Sequence, residues 1–188
     1  MQFKKMGKIK VYPPVKLFVA ITFSPIVQID KICHRLEQLL SPIDSKSIVY
    51  PFNFTTYYET EMGKGLRKQM ISFKELLPAE VLVDLKISTN AIEDEFRKTH
   101  GRTVNIDPGY ICSAKLILAT TKDYDHRVYL NRGIFADVHL RFRNGHFQTN
   151  PWTYPDYQQP QIIAYFEEVR KVYLNQLTEW KKFNLKDQ

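Results

Sequence analysis

The chain has 188 residues, 44% of them hydrophobic, with a formal net charge of +7 and a pI near 9.3. This length is typical of one domain with a sizeable core. We therefore expect a single domain over residues 1–188, in which residues 1–10 form a disordered basic leader. No apolar run is long enough to cross a bilayer, and the leader lacks the apolar stretch of a signal peptide. We predict a cytoplasmic protein with no membrane partner.

Cysteine usage and charge limit the chemistry further. Cys33 and Cys112 are too few for a disulfide framework, and their apolar neighbours indicate buried thiols. The absence of C-x-x-C and H-E-x-x-H spacings argues against zinc. The positive charge favours an anionic partner: nucleic acid, a phosphorylated metabolite or an acidic protein. The basic residues are scattered along the sequence, so these three classes stay open.

The first half of the chain alternates strand and helix patterns. Residues 15–23 form a nearly continuous apolar run, which is typical of a central strand. Ser24-Pro25 supplies an N-cap followed by proline at the first helical position. The predicted elements are strands at 15–23, 48–54 and 68–73, a helix from Pro25 to Leu40, and a helix from Pro78 to His100-Gly101.

The segment TTYYETEMGKG, residues 55–65, is turn-like. In an extended segment Glu59 and Glu61 would point the same way, as a carboxylate pair or as metal ligands. The alternative is two solvated acids. The Gly63-Lys64-Gly65 sequence is not a phosphate loop, because neither its spacing nor its hydroxyl position fits G-x-x-x-x-G-K-[ST].

The second half is predicted to contain a strand, a hairpin and a long helix. Residues 104–106 enter a turn at Asp107–Tyr110, and residues 115–119 form a buried strand. Residues 128–130 and 134–142 then form a hairpin around Asn131-Arg132-Gly133, which supplies the glycine that such turns favour. A loop with several prolines follows, and a final helix runs from Gln161 to about Phe183.

Alternation along the second hairpin strand predicts two faces. Core residues would be Ile134, Ala136, Val138, Leu140 and Phe142, and the solvent face would carry Asp137, His139, Arg141 and Arg143. A three-residue loop sets Leu130 opposite Ile134, Arg127 opposite Asp137 and Asp125 opposite His139. The register therefore predicts a cross-strand ion pair between Arg127 and Asp137.

The order of the elements is βαββαβ, followed by the hairpin and the terminal helix. This order matches the ferredoxin-like arrangement. We predict an α+β fold with a mainly antiparallel ferredoxin-like sheet, helices on one face, an added β-hairpin and a C-terminal helix.

Five segments resemble a known family of proteins. They are YPFNFTTYYETEMG at 50–63, NIDPGY at 105–110, LATTKDYDHRVYL at 118–130, GIFADVHLRFRNG at 133–145 and PWTYPDY at 151–157. The family is the one called domain of unknown function 4416, and the resemblance implies a bacterial or archaeal origin without implying an activity. This chain has Asp137 where the family pattern has glutamate, and His139 where threonine is usual. Some members carry a GTP-binding label, but this chain has neither a phosphate loop nor [NT]-K-x-D.

The densest set of reactive side chains lies between residues 105 and 157. We predict a polar cleft with the catalytic candidates Asp107, His126 and Asp137 and the substrate-binding candidates Tyr110, Lys122, Arg127, Tyr154 and Asp156. Lysine, arginine and histidine together can hold a phosphate, and a nearby carboxylate can act as a general base or recruit a divalent metal. The cleft predicts binding of a phosphorylated small molecule or nucleotide, with catalysis and any cofactor left open. The alternative is structural: Arg127 and Asp137 pair with each other, and Asp107 and Asp156 stabilise turns beside proline.

Two further functions stay open. Ferredoxin-like sheets bind single-stranded RNA by stacking bases on exposed aromatic rings beside basic groups. Under the predicted register Tyr129, Phe135, Arg141 and Arg143 share a face, and the rings of Tyr57, Tyr58 and Trp152 extend it. The RNA-motif signature is absent from the sequence. The third function is a structural or partner-binding subunit, of unspecified oligomeric state.

Overall fold

A computed structural model of the chain describes residues 11–99 and 101–184. The predicted leader at 1–10 therefore lies outside the described residues, as does His100. The helix predicted to reach His100-Gly101 ends earlier, at Glu95. The elements are β1 (Val15–Phe23), α1 (Ile29–Leu39), β2 (Ile43–Lys46), β3 (Tyr50–Pro51), α2 (Glu59–Met62), β4 (Arg67–Leu77), α3 (Leu82–Glu95), β5 (Val104–Ile111), β6 (Lys115–Thr120), β7 (Arg127–Asn131), β8 (Ile134–Arg143), β9 (His146–Thr149) and α4 (Pro160–Asn184). Short 3₁₀ turns at Ala79–Val81 and Pro155–Gln158 precede α3 and α4.

One nine-stranded sheet organises the molecule. Its order is β2-β4-β1-β5-β6-β8-β7, with β3 also paired to β4 and β9 to β8. All of these pairings are antiparallel. The mainly antiparallel α+β sheet, the added hairpin and the C-terminal helix are therefore confirmed. The sheet is larger than the ferredoxin-like unit, so that finer assignment stays a prediction.

Helices cover both faces of the sheet, and the prediction that they lie on one face is wrong. Val19 and Ile21 of β1 join a buried cluster with α1 and α3. Their neighbours Phe18 and Ala20 point the other way, into a cluster with the first half of α4. A strand that is buried on both faces needs an uninterrupted apolar run, which is what residues 15–23 provide.

Strand β5 replaces the turn predicted at Asp107–Tyr110. All four residues lie within β5 and pair in register with β1. Gly109 is required there, because a Cβ atom would lie 2.3 Å from the carbonyl oxygen of Ile117. On its other side β5 pairs with β6 only through Gly109–Ile111 and Leu116–Leu118. The start of β5 and the end of β6 are thus not paired with each other, and a gap opens in the sheet between them.

A β-bulge at His139 changes the predicted faces of β8. Leu116 lies opposite Leu140 whereas Ile117 lies opposite Val138, so His139 is the extra residue. Leu140 and Phe142 join the cluster beneath α4, on the same side of the sheet as Asp137. Asp137 and His139 are buried, at 1% and 0% exposed, and do not face solvent as predicted. Arg141 and Arg143 move to the opposite side.

The hairpin register is correct at its centre and wrong at its ends. Arg127 lies opposite Asp137, as predicted, but a bulge near the turn pairs Ile134 with Asn131 and not with Leu130. Asp125 precedes β7 and has no partner in that strand pair. The predicted strand at 48–54 is also wrong for most of its length, because only Tyr50–Pro51 pairs there and an unpredicted strand lies at Ile43–Lys46.

A helix that crosses a bilayer needs about 20 consecutive, mostly apolar residues. Across residues 11–99 and 101–184, none of the helices is long and apolar enough to cross a bilayer.

Candidate functional site

Two adjoining cavities occupy the gap in the sheet between β5 and β6. The first has a volume of about 420 Å³ and the second about 290 Å³. The residues that line both cavities are Tyr57, Tyr58, Asp107, Lys122 and Tyr154. The two spaces therefore form one cleft, whose floor is the unpaired stretch of the sheet and whose outer wall is the segment that contains α2.

An arginine anchors the α2 segment over the cleft. Arg102 donates from Nε and Nη2 to the two carboxylate oxygens of Glu61, at 2.9 and 2.8 Å. Its Nη1 donates to Glu93 Oε2 at 2.9 Å, and Glu93 Oε1 accepts the backbone N–H of Ile106 at 2.7 Å. Of the two alternatives for Glu59 and Glu61, the carboxylate pair does not form, because the segment is helical and residues two apart on a helix do not face each other.

Asp107 lies at the centre of the cleft. Its Oδ1 accepts from Lys86 Nζ at 3.2 Å, and its Oδ2 accepts from the Asn105 amide at 2.7 Å. Burial alone would raise the pKa of Asp107, but the charges of Lys86 and Lys68 together with these hydrogen bonds hold the pKa below its ordinary value. The carboxylate is therefore ionised at neutral pH.

Asp137 lines the first cavity at the junction of β8 and β7. Arg127 donates to Asp137 Oδ2 from Nε at 3.2 Å, and also to the Lys122 carbonyl and the Tyr154 hydroxyl, both at 3.0 Å. Burial would raise the pKa of Asp137, but contacts with His139 and Arg127 lower it overall. The predicted Arg127–Asp137 pair is confirmed. Each of the three guanidinium nitrogens of Arg127 donates one of these hydrogen bonds, so the arginine fixes Asp137, the Lys122 backbone and Tyr154 relative to one another.

His139 is held as a neutral tautomer. Its Nε2 accepts the backbone N–H of Tyr154 at 3.0 Å, so the ring proton lies on Nδ1, 3.3 Å from Asp137 Oδ1. Burial lowers the pKa of His139 against the opposing effect of Asp137. The imidazole therefore orients Asp137 and fixes the start of the Tyr154 loop.

A buried ion pair closes the second cavity. Lys68 Nζ lies 2.7 Å from Asp156 Oδ2, and the two side chains are 4% and 2% exposed. The ammonium group also lies 4.9 Å from the ring centre of Phe52 and 5.1 Å from that of Tyr157. The two charges thus neutralise each other, and the ammonium group packs between the aromatic rings of Phe52 and Tyr157.

Lys122 is the cation that the cleft leaves available. It is exposed, lines both cavities, and has no carboxylate within 4 Å among residues 11–99 and 101–184. Its Nζ lies 4.2 Å from the ring centre of Tyr57. Burial, followed by the charge of Asp107, raises the pKa of Tyr58, so that hydroxyl stays protonated.

The structure brings most of the predicted site residues together. Those that line a cavity are Asp107, Lys122, Asp137, Tyr154 and Asp156. His126 lies outside the cavity walls, stacked between Tyr124 and Trp152 at centroid distances of 5.9 and 4.9 Å. Its Nε2 lies 3.4 Å from Asp137 Oδ2 without hydrogen-bond geometry. Tyr110 also lies outside, on the face of β5 that packs against hydrophobic clusters.

Sequence reasoning missed three cleft residues. Lys86 and Lys68 reach the cleft from α3 and β4, and their carboxylate partners are distant in the chain. Asn105 lies only two residues before its partner Asp107. Lys68 is the first residue of the predicted strand at 68–73. A lysine in a mostly apolar strand indicates a buried partner of opposite charge, and this was the signal in the sequence. Within the described residues, no group of three or more His, Cys, Asp or Glu side chains is arranged to hold a metal.

The neutral state of His139 makes stability depend on pH. Its pKa in the folded protein is below the ordinary value of 6.5, so below pH 6.5 the unfolded chain binds a proton that the folded chain does not. We expect the free energy of unfolding to fall below pH 6.5 by up to about 1.4 kcal/mol per pH unit, until the folded-state pKa is reached. Asp107 and Asp137 add a second decline below their ordinary value of 3.8. Urea unfolding between pH 8 and pH 3 measures both phases.

The variant His139→Gln is the control for the decline in stability that begins at pH 6.5. Glutamine keeps a donor and an acceptor but does not titrate, so the decline that begins at pH 6.5 should disappear while the lower one remains. Glu93 opposes the decline that begins at pH 6.5, because burial raises its pKa above 4.5 and the folded chain therefore binds that proton first as the pH falls. An equal loss of stability between pH 8 and pH 5 in the wild type and in His139→Gln would contradict the assigned tautomer.

The fold and the site define the class: a mixed α/β protein whose antiparallel sheet is interrupted by a polar cleft walled by tyrosines. Within it, the chain belongs to the family described as Domain of unknown function (DUF4416), whose sequence model matches residues 13–173. All five resembling segments fall inside that match, so the resemblance is confirmed. No curated protein and no solved structure matches the chain.

Proposed function

We propose that the protein binds a small phosphorylated molecule with a ring, such as a nucleotide or sugar monophosphate, in the cleft between β5 and β6. The observation that carries the proposal is the shared wall of the two cavities, where Lys122 and the ionised Asp107 face one space beside three tyrosines. Volumes of about 420 and 290 Å³ are in the range that small ligands occupy.

The two cavities suit different parts of such a ligand. The second is lined by Phe52, Phe54, Tyr57, Tyr58, Tyr154 and Pro155. These aromatic and apolar surfaces favour the face of a ring. The first carries the amides of Asn90 and Asn105 and the carboxylates of Asp107 and Asp137, which can pair with hydroxyl and amino groups.

Charge balance limits the ligand to few anionic groups. The ionisable side chains of the first cavity are Lys86, Arg97, Arg102 and Lys122 against Glu61, Glu93, Asp94, Asp107 and Asp137. Arg102 is paired with Glu61 and Glu93, Arg97 with Asp94, and Lys86 with Asp107. Lys122 is left to contact an anion, so a monophosphate fits this cleft better than a triphosphate.

The carboxylates suit binding better than proton transfer. A general base works best when its pKa is near the working pH, whereas the pKa values of Asp107 and Asp137 are held below the ordinary range. Within this proposal both accept hydrogen bonds from the ligand.

A thermal-shift panel tests the proposal. Inorganic phosphate, sugar monophosphates, nucleosides and nucleoside mono- and triphosphates are compared at equal concentration. We expect a monophosphate with a ring to raise the melting temperature most, because binding to the folded state stabilises it. Lys122→Ala should weaken that binding about tenfold or more, as expected for loss of a charge-assisted contact.

The matched control is Lys181→Ala, which removes the same charge from the exposed last turn of α4. It should bind as the unmodified protein does. A panel without any shift, or a shift that both lysine variants retain, would overturn the proposal.

A further inference from the structure

We propose that the exposed end of the sheet at β6, β8 and β9 binds the phosphate backbone of single-stranded nucleic acid through a strip of basic side chains. The strip consists of Lys115, Arg141 and Arg143, with His146 at its edge. None of these residues lines the cleft, so this surface is separate from the proposed small-molecule site.

Strand pairing aligns the basic side chains. Lys115 of β6 lies directly opposite Arg141 of β8, and Arg143 lies directly opposite His146 of β9. Directly opposite residues have Cβ atoms about 5 Å apart, and residues two apart on a strand are about 7 Å apart on the same face. The three permanent cations therefore form a compact row on one side of the sheet.

The β-bulge at His139 creates this alignment. Without it, Arg141 would lie on the side of Asp137, among buried groups. The extra residue turns Leu140 and Phe142 toward the cluster beneath α4, which sends Arg141 and Arg143 to the opposite side. The aromatic pair Tyr129 and Phe135 stays on the Asp137 side, so the face predicted for base stacking does not form.

Within the described part of the chain, no acidic side chain neutralises the positive charge of the strip. Like charges directly opposite each other on neighbouring strands destabilise a sheet, yet Lys115 and Arg141 have this arrangement. Among residues 11–99 and 101–184, no carboxylate lies within 4 Å of Lys115, Arg141 or Arg143. The Nε of Arg141 is buried without a hydrogen-bond partner in that part of the chain. Three cations on neighbouring strands, without acidic partners among the described residues, leave their positive charge available to the phosphates of a nucleic acid.

The shape of the surface favours a chain of phosphates over a single small anion. The strip lies outside both cavities, whereas small ligands favour enclosed clefts. Contacts to phosphate carry no sequence information. Binding should therefore be independent of sequence and strongly dependent on salt.

The test is fluorescence anisotropy with a labelled 20-nucleotide single strand, between 20 and 200 mM salt. Each phosphate contact adds about 0.7 to the slope of log K against log salt for a single strand. Arg141→Gln/Arg143→Gln should reduce the magnitude of this slope by about 1.4. The matched control Lys171→Gln/Lys182→Gln makes the same change in net charge on α4 and should leave the slope unchanged.

Each other outcome overturns the proposal. These are no binding at 20 mM salt, equal slopes for both double variants, and tighter binding to polyglutamate or to anionic lipid vesicles than to the oligonucleotide. If the double variant does not fold, Arg143→Gln alone decides, because Arg143 is exposed, with an expected slope change of about 0.7. Arg143→Gln should leave any thermal shift by a monophosphate unchanged, which separates the two proposals.

Discussion

Replacing Lys68 with alanine is expected to lower the free energy of unfolding by about 3–5 kcal/mol, the cost of removing one partner of a buried ion pair. Asp156 would keep its charge at 2% exposure after losing a partner at 2.7 Å. The Tyr50 hydroxyl, 3.4 Å from Asp156 Oδ2, is too distant to replace an ammonium group. The rings of Phe52 and Tyr157 would lose their contact with the cation as well. Urea unfolding at pH 7 gives the difference.

Two further variants identify the cause. Lys64→Ala removes an exposed lysine four residues earlier and should change the free energy of unfolding by no more than about 0.5 kcal/mol. Lys68→Met/Asp156→Leu replaces both charges with apolar side chains and should recover most of the loss, because no charge is then left buried alone. A loss below about 1 kcal/mol in Lys68→Ala would contradict the buried pair.

Elements specified by local patterns could be predicted from the sequence. The apolar run of β1 agrees with the structure residue for residue, and the predicted C-terminal helix at 161–183 agrees with α4 at Pro160–Asn184. The hairpin and its Arg127–Asp137 pair follow from period-two alternation and a glycine-containing turn. In each case the signal lies within a few residues of the structure that it specifies.

The misses arise where tertiary packing overrides a local signal. Asp107-Pro108-Gly109 reads as a turn, but packing against β1 keeps these residues extended, and glycine is present because Ile117 approaches closely. The bulge at His139 adds one residue to β8, and alternation alone cannot detect an insertion of this kind. The pairing of Lys68 with Asp156 joins segments far apart in sequence. The position of the cleft in the sequence could therefore be predicted from its residue types. The residues that reach its walls from distant segments could not be predicted.

Gly109→Ala is the second substitution that we expect to be severely damaging, at about 3 kcal/mol or more. An added Cβ would lie 2.3 Å from the Ile117 carbonyl oxygen and 2.6 Å from the Phe18 ring. A backbone oxygen cannot move away as a flexible side chain can, so overpacking here falls at the upper end of its usual cost. Relief requires β6 to separate from β5, and these strands pair only through Gly109–Ile111 and Leu116–Leu118.

Gly145→Ala is the control. Gly145 has φ +86° and nothing within 4 Å of an added Cβ, so alanine there costs only backbone strain of about 1–2 kcal/mol. Hydrogen exchange separates the two mechanisms: Gly109→Ala should lose protection at the amides of Leu116–Leu118, whereas Gly145→Ala should retain it. If both variants lose equal stability and both keep that protection, the close approach of β5 and β6 does not limit this position.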